Sequence, residues 1–416
     1  MSSNREAYTN KMLVLKKEFE QNPTDKIIAF DYAEKLFQLG DFAQAQGILK
    51  SLSDNSKALY LNAQIEYMKG NYQEAENLYT ILKSSEFKSE AEQGLEAIYY
   101  QTGQYSKAKD LSSPSAIGAT LIAFGDRKPY AIDWSGAEKA IIPFTKPEPL
   151  PLIQVKICGE MYNFIIDTGA GDTILDSELS AKLGVESIAT HTGVGAGDVS
   201  ATMDYGILDE IILGAVKISD IPVATMPTAP FSAVYNNEVE VHGIMGVGVF
   251  KQFFPIMDYP AGQLILYPRD KKVALENAIE IPFALASSHN IIAKGEVNGR
   301  EVNVFMDSGL AAPGVGILLS NETVEYTNIA VSEPESVESV GAGGATEFQI
   351  SEFTVDTFKL GVLPEAKNLN GLLGIFPESM YFNEQGGFFI DALVSHEFLK
   401  RYKWAIDFDS MKMIFS

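Results

Sequence analysis

Asn163-Phe164-Ile165-Ile166-Asp167-Thr168-Gly169-Ala170 is a short apolar run that ends in an aspartate, a hydroxyl residue and a glycine. A second run of the same design stands at Asn303-Val304-Phe305-Met306-Asp307-Ser308-Gly309. Asp-Thr-Gly alone is a common coincidence, so the surroundings of the two copies decide the reading. Ile142-Pro143-Phe144 begins 25 residues before Asp167, and Ile281-Pro282-Phe283 begins 26 before Asp307. Between these landmarks lie two alternating segments, Leu152-Ile153-Gln154-Val155-Lys156-Ile157 and Ile291-Ile292-Ala293-Lys294-Gly295-Glu296-Val297. A glycine follows each, Gly159 or Gly299, eight residues ahead of its aspartate. Alternation, a glycine turn and a second apolar run predict a β-hairpin whose second strand ends at the aspartate.

The correspondence continues downstream. Gly195-Ala196-Gly197 leads into a strand-like stretch ending at Leu213-Gly214, and Gly341-Ala342-Gly343 into one ending at Leu360-Gly361. Phe250-Lys251-Gln252-Phe253, then Ile256-Met257-Asp258-Tyr259, is matched by Phe398 to Tyr402, then Ala405-Ile406-Asp407-Phe408. Landmarks recurring twice in one order predict two β-rich lobes related by a pseudo-two-fold axis, at residues 141–278 and 279–416. The second lobe departs in places. After its glycine it reads Leu310-Ala311-Ala312-Pro313-Gly314. Spacing to Phe398 assigns Asp391-Ala392-Leu393-Val394, rather than Gly371-Leu372-Leu373-Gly374, as the counterpart of Gly243-Ile244-Met245-Gly246.

Residues 1–112 follow another rule. Leu39-Gly40-Asp41-Phe42, Lys69-Gly70-Asn71-Tyr72 and Thr102-Gly103-Gln104-Tyr105 share a pattern, with alanine five residues after each glycine at Ala45, Ala75 and Ala108. The glycines are 30 and 33 residues apart, a period of stacked supersecondary units. Apolar residues at helical spacing precede each glycine, as in Asp31 to Phe37. The segment resembles a tetratricopeptide repeat array of about three units with a capping helix at 5–20, although the family's usual tryptophan is missing. A generic helical bundle is the alternative. Either offers a helical surface for a peptide or protein partner rather than chemistry. Residues 113–140, opened by Ser112-Ser113-Pro114-Ser115, are expected to be a linker without helical period.

Residues 141–416 resemble an aspartic protease of the pepsin and retropepsin class. The quoted Asp-Thr-Gly-Ala and the Gly243 to Phe250 segment are the most specific motifs. The resemblance implies a multidomain chain, an N-terminal all-α helical repeat followed by a mainly-β bilobal acid-protease fold, with Asp167 and Asp307 as the catalytic pair. Two carboxylates about 3 Å apart share one proton and so provide both the base that activates water and the acid that protonates the product. Gly169 and Gly309 then permit close backbone approach, and the resemblance implies that Thr168 and Ser308 bond across the lobe interface. Gly195, Ala196, Gly197, Gly341, Ala342 and Gly343 are candidates for substrate-binding flaps, or else ordinary hairpin turns. Pepsin-like members often carry a hydroxyl residue directly after the loop glycine. Here Ala170 and Leu310 have no side-chain donor for an ionised pair, which predicts raised carboxyl pKa values and activity nearer neutral pH.

Composition limits the alternatives. The formal charge is −23, with 13 Lys/Arg against 16 Asp/Glu in residues 1–112 and 19 against 39 in the remainder. Such a surface argues against nucleic acid or an anionic membrane as partner; it suits basic ligands, or solubility alone. No apolar run approaches a membrane span. The polar stretch from Met1 to Glu20 and the single cysteine, Cys158, point to a cytoplasmic, reducing location, or a periplasmic or secreted one if the N-terminus was trimmed. Cys158 is expected to be a core residue. His191, His242, His289 and His396 are scattered, so neither a metal nor another cofactor is expected. Two functions remain: an aspartic endopeptidase acting on peptide or protein substrates, or a catalytically inactive peptide-binding scaffold with a drifted second lobe.

Overall fold

The computed structural model describes residues 4–111, 115–125, 127–194, 200–287, 289–341, 344–376 and 387–416. Helices come first: α1 (Asn4–Gln21), α2 (Lys26–Gln38), α3 (Phe42–Leu49), α4 (Ser56–Met68), α5 (Tyr72–Leu82) and α6 (Lys88–Thr102). Local chemistry sets their ends. Asp25 caps α2 by accepting from the Ile27 and Ile28 amides, and Asn55 caps α4 by accepting from the Ala58 amide. Gly40, Gly70 and Gly103 turn the chain between helices with φ of +78°, +77° and +68°, a region that costs glycine least. Ala45, Ala75 and Ala108 are fully buried, so each sits where a larger side chain would force neighbouring helices apart.

The stretch expected as a plain linker contains α7 (Ala116–Phe124) and β1 (Ala131–Asp133). Its sequence is apolar on all sides, so it shows no helical period; the helix is held by packing, with Leu121 and Phe124 buried. α7 rests against two strands of the first β unit, β6 and β7 below.

The first β unit continues with β2 (Ala140–Pro143), β3 (Leu152–Ile157), β4 (Glu160–Ile166), β5 (Thr173–Asp176), β6 (Ala189–Val194), β7 (Ser200–Leu213) and β8 (Val216–Met226). It closes with β9 (Gly243–Met245), β10 (Phe253–Asp258) and β11 (Gln263–Pro268). The second holds β12 (Ile279–Pro282), β13 (Ala284–Ala286), β14 (Asn290–Val297), β15 (Arg300–Met306), β16 (Ile317–Leu319) and β17 (Glu335–Gly341). β18 (Gly344–Leu360), β19 (Ala366–Leu373), β20 (Ala392–Val394), β21 (Lys403–Asp407) and β22 (Lys412–Phe415) complete it.

Three sheets result, with strand orders β1-β8-β5-β9-β4-β3-β7-β6, β13-β14-β15-β20-β16-β19-β18-β17 and β12-β22-β21-β10-β11-β2. In the first, β7 bonds to both β3 and β8; in the second, β18 bonds to both β14 and β19. Each eight-stranded sheet thereby curls into a barrel-like ring, and the six-stranded sheet draws strands from both halves of the β region. The hairpins β3–β4 and β14–β15 turn through Cys158-Gly159 and Asn298-Gly299, all four residues at positive φ, the turn whose twist suits a two-residue hairpin. Cys158 is thus exposed at a turn rather than buried in the core.

Most of the β region shares one continuous apolar core. The helical region has its own core, which runs on into the second β unit through Phe305, Leu318, Leu393, Phe388 and Phe389. Asn303 marks the seam: its amide donates to the carbonyls of Leu39, at 3.2 Å, and Phe389, at 2.7 Å.

Candidate active site

Each aspartate is delivered by the same local device. β4 runs parallel to β9, with Ile166 opposite Met245, and the Asp167 amide then donates to the Met245 carbonyl at 3.1 Å. β15 runs parallel to β20, with Met306 opposite Val394, and the Asp307 amide donates to the Val394 carbonyl at 3.0 Å. The pairing places Ala392–Val394 beside the Asp307 strand, while Gly371 lies on β19, next to β16.

Beyond these strands the two loops interlock. The Thr168 hydroxyl donates to the Met306 carbonyl at 2.9 Å and accepts from the Ser308 amide at 3.0 Å. Reciprocally, the Ser308 hydroxyl donates to the Ile166 carbonyl at 3.4 Å and accepts from the Thr168 amide at 3.0 Å. Both side chains are buried, so each hydroxyl satisfies groups of the opposite loop that water cannot reach. The glycines let the loops meet: a Cβ on Gly169 would come within 2.8 Å of the Asp307 carboxyl, and one on Gly309 would collide with that of Asp167.

The two carboxyl groups lie beside one another, and each influences the ionisation of the other. Burial raises the pKa of Asp167, opposed by the Gly169, Ala170 and Gly309 amides and by the Asp307 side chain. Burial, and then the charge of Asp167, push Asp307 well above the ordinary carboxylate range. The Gly169 and Gly309 amides donate to their own loop's aspartate at 2.7 and 2.9 Å. Backbone amides of Ala170 and Leu310 also favour the ionised forms, although their side chains offer no donor. Burial outweighs these donors at both residues. The pair keeps some access to solvent, since neither aspartate is fully covered. Chemically it can hold one proton between two oxygens while leaving a second carboxylate free to accept another.

Around the pair, Ala170 joins an apolar cluster with Ile174, Met203, Tyr205, Ile244 and Phe231. The turn Ala229–Tyr235, which carries Phe231, also meets β17 of the second β unit, so strands from both halves bracket the loops. The flap candidates Gly195, Ala196, Gly197, Ala342 and Gly343 lie outside the described residues. Gly341 ends β17 opposite Gly344, at the tip of the β17–β18 hairpin. Among the described residues, no group of three or more His, Cys, Asp or Glu side chains is arranged to hold a metal ion.

Four residues around the Asp167 loop, Asp172, Tyr100, Lys251 and Gln101, were given no role by the sequence reading. Asp172 accepts a hydrogen bond from the hydroxyl of Tyr100, on α6. Lys251 donates to Gln101, also on α6, and its ammonium faces Asp172. Asp172 stands two residues beyond the quoted motif, but no local pattern ties it to a tyrosine 72 positions upstream.

A model of the aspartyl protease family matches residues 153–249, the stretch that contains Asp167 and its loop. The helical region is therefore followed by a mainly-β region, part of which is similar to the aspartyl protease family. Among solved structures, the chain is similar to basic 7S globulin from soybean, at 9% identity and a TM-score of 0.37, over 69% of this chain and 95% of that one. No curated protein sequence matches the chain.

Proposed function

We propose that the chain is an aspartic endopeptidase in which Asp167 and Asp307 act as one acid–base pair. The observation that carries the reading is the reciprocal interlock of Thr168 and Ser308, which holds two neighbouring carboxyls in one partly accessible site. One carboxylate takes a proton from a water as that water attacks the peptide carbonyl. The protonated partner donates to the carbonyl oxygen, and the proton taken from water then reaches the departing nitrogen. Because the pair titrates together, neither residue has a fixed role. The finer reading is a bilobal pepsin- or retropepsin-like fold with a pseudo-two-fold axis, its lobes at 141–278 and 279–416. The matched pairing orders of the two eight-stranded sheets support it. A substrate would lie extended between the β6–β7 and β17–β18 hairpins, bonded as an added strand.

The helical region, read as tetratricopeptide-like, would recruit a substrate or protein partner. A pocket of about 160 Å³ between α4, α6 and the second β unit, lined in part by Tyr60, Tyr67, Glu90 and Phe388, supports that role.

The test is digestion of a mixed peptide library across pH 3–8 by the full chain, Asp167→Asn and Asp307→Asn, with and without a pepstatin-type inhibitor. Cleavage by the wild type alone, blocked by the inhibitor, is expected. No cleavage by wild type at any pH would leave the peptide-binding scaffold as the better reading, and activity surviving in either single variant would remove the paired mechanism.

A further inference from the structure

We infer that α6 of the helical region is part of the catalytic apparatus: Tyr100 and Gln101, neighbours in its last turn, are positioning residues for the Asp167 loop. The inference rests on the endopeptidase reading above and extends it to residues outside the β region.

The loop from Asp167 to Asp172 is tied at its entry and its middle by the β region itself. At entry the Asp167 amide bonds to Met245, and in the middle Thr168 locks onto the Asp307 loop. Its inner side lies on Gly246-Val247-Gly248, where the Val247 and Gly248 amides donate to the Ala170 and Gly171 carbonyls at 2.9 and 2.8 Å. There is no spare room here. A Cβ on Gly246 would lie 2.6 Å from the Ala170 carbonyl oxygen, and one on Gly248 would lie 2.7 Å from the Tyr130 hydroxyl and 3.5 Å from that of Tyr100.

The exit of the loop is held from outside. The Tyr100 hydroxyl donates to the Asp172 carboxylate, immediately before Thr173 opens β5. Lys251, which follows the short helix Val247–Phe250, bonds to Gln101 while facing Asp172. Two consecutive residues of α6 therefore fix both elements that frame the catalytic loop. Tyr100 is itself braced: its ring stacks on Tyr105 at 5.9 Å, and Tyr105 meets Phe124 of α7 edge-on at 5.0 Å.

Asp172 faces Tyr100 and Tyr105 of the helical region, Tyr130, Tyr205 of β7, and Lys251. Burial raises its pKa, and the Tyr100 hydroxyl followed by Lys251 restores part of the preference for the carboxylate. Burial also lowers Lys251 to about 7, so the tyrosine is the partner whose donor does not titrate near neutrality. The arrangement is one-sided. The residue five beyond Asp307 is Ala312, which has no acid to offer a helix.

Tyr100→Phe in the full chain keeps the ring and removes only the hydroxyl. It is expected to lower kcat about tenfold with KM within about twofold, the size of effect that a small misplacement of a reacting group produces. The acid limb of the pH–rate profile should move to higher pH, because Asp172 loses the donor that favours its ionised form. Amide exchange of residues 170–173 should quicken, while that of residues 310–312 stays unchanged, and the lost hydrogen bond should lower the melting temperature by no more than a few degrees. Gln101→Leu should act in the same direction, and Tyr99→Phe, on the same helix, should leave activity at the wild-type level. Wild-type kcat, pH profile and loop exchange in Tyr100→Phe would overturn the inference, as would a change in KM alone. If the wild type cleaves no peptide, the endopeptidase reading falls by itself. Loop exchange then decides the positioning role, and unchanged exchange in Tyr100→Phe would overturn it.

Discussion

Asp307 carries the greater displacement of the two site carboxyls because it bears both burial and the charge of Asp167. Its folded-state pKa is above the unfolded value, so the folded chain retains a proton that the unfolded chain releases. Stability contributed by this group is therefore present below the ordinary carboxyl pKa of about 4 and is lost as pH rises through the folded value. Asp307→Asn should accordingly raise the melting temperature at pH 7, and the advantage should vanish near pH 3. Thermal melts across that range check this, and a variant less stable than wild type at pH 7 contradicts it. On the proposed endopeptidase function, the raised values of both aspartates also set the working pH. Cleavage should peak nearer neutrality than the pKa values of about 1.5 and 4.7 that such a pair shows in an acid-adapted enzyme. A pH–rate profile peaking at strongly acid pH would contradict it.

At the scale of elements, the interlocked loops are the feature most exposed to a single substitution. Thr168→Val keeps the shape but strands the buried Met306 carbonyl and Ser308 amide. Such losses cost about 1–3 kcal/mol, which urea denaturation would register alongside a fall in activity. The hairpins that carry the loops were legible because alternation and a glycine turn are local signals, and the turns fall at Gly159 and Gly299. The three helix-ending glycines were legible for the same reason. α7 was not: Ala116 to Phe124 has no polar face, and only contact with its neighbours makes it a helix. Cys158 misled because a strand end and a turn residue are one position apart in sequence and opposite in burial.

At the scale of the whole molecule, the helical and β regions are joined by a buried ion pair as well as by apolar packing. Arg5 of α1 lies 3.2 Å from Asp391, with both side chains almost wholly buried, and the Asp391 carboxylate also accepts from the backbone N–H of Asn303 at 2.7 Å. Burial raises the Asp391 pKa even with Arg5 in place. Arg5→Ala leaves that carboxylate uncompensated, which typically costs about 3–5 kcal/mol. The loss should be greatest at neutral pH and shrink as Asp391 protonates toward pH 4, and Asp391→Asn in the same chain should recover much of it. Denaturation midpoints for the two variants at both pH values would check this; an Arg5→Ala chain as stable as wild type at pH 7 would contradict it.

The sequence by itself determined the local devices: two Asp-hydroxyl-Gly loops on hairpins, and helices punctuated by glycine at a regular period. Those follow from φ preferences and side-chain alternation, which act over a few residues. Only the tertiary structure decided which groups meet across long separations. It set Asp167 against Asp307, Thr168 against Met306 and Ser308, and Tyr100 against Asp172. Burial, which raises the carboxyl pKa values, and the partners that offset it depend on that packing rather than on any stretch of chain. The opening motif and its copy therefore named both halves of a candidate site, and the fold brought them together and added a tyrosine from the helices.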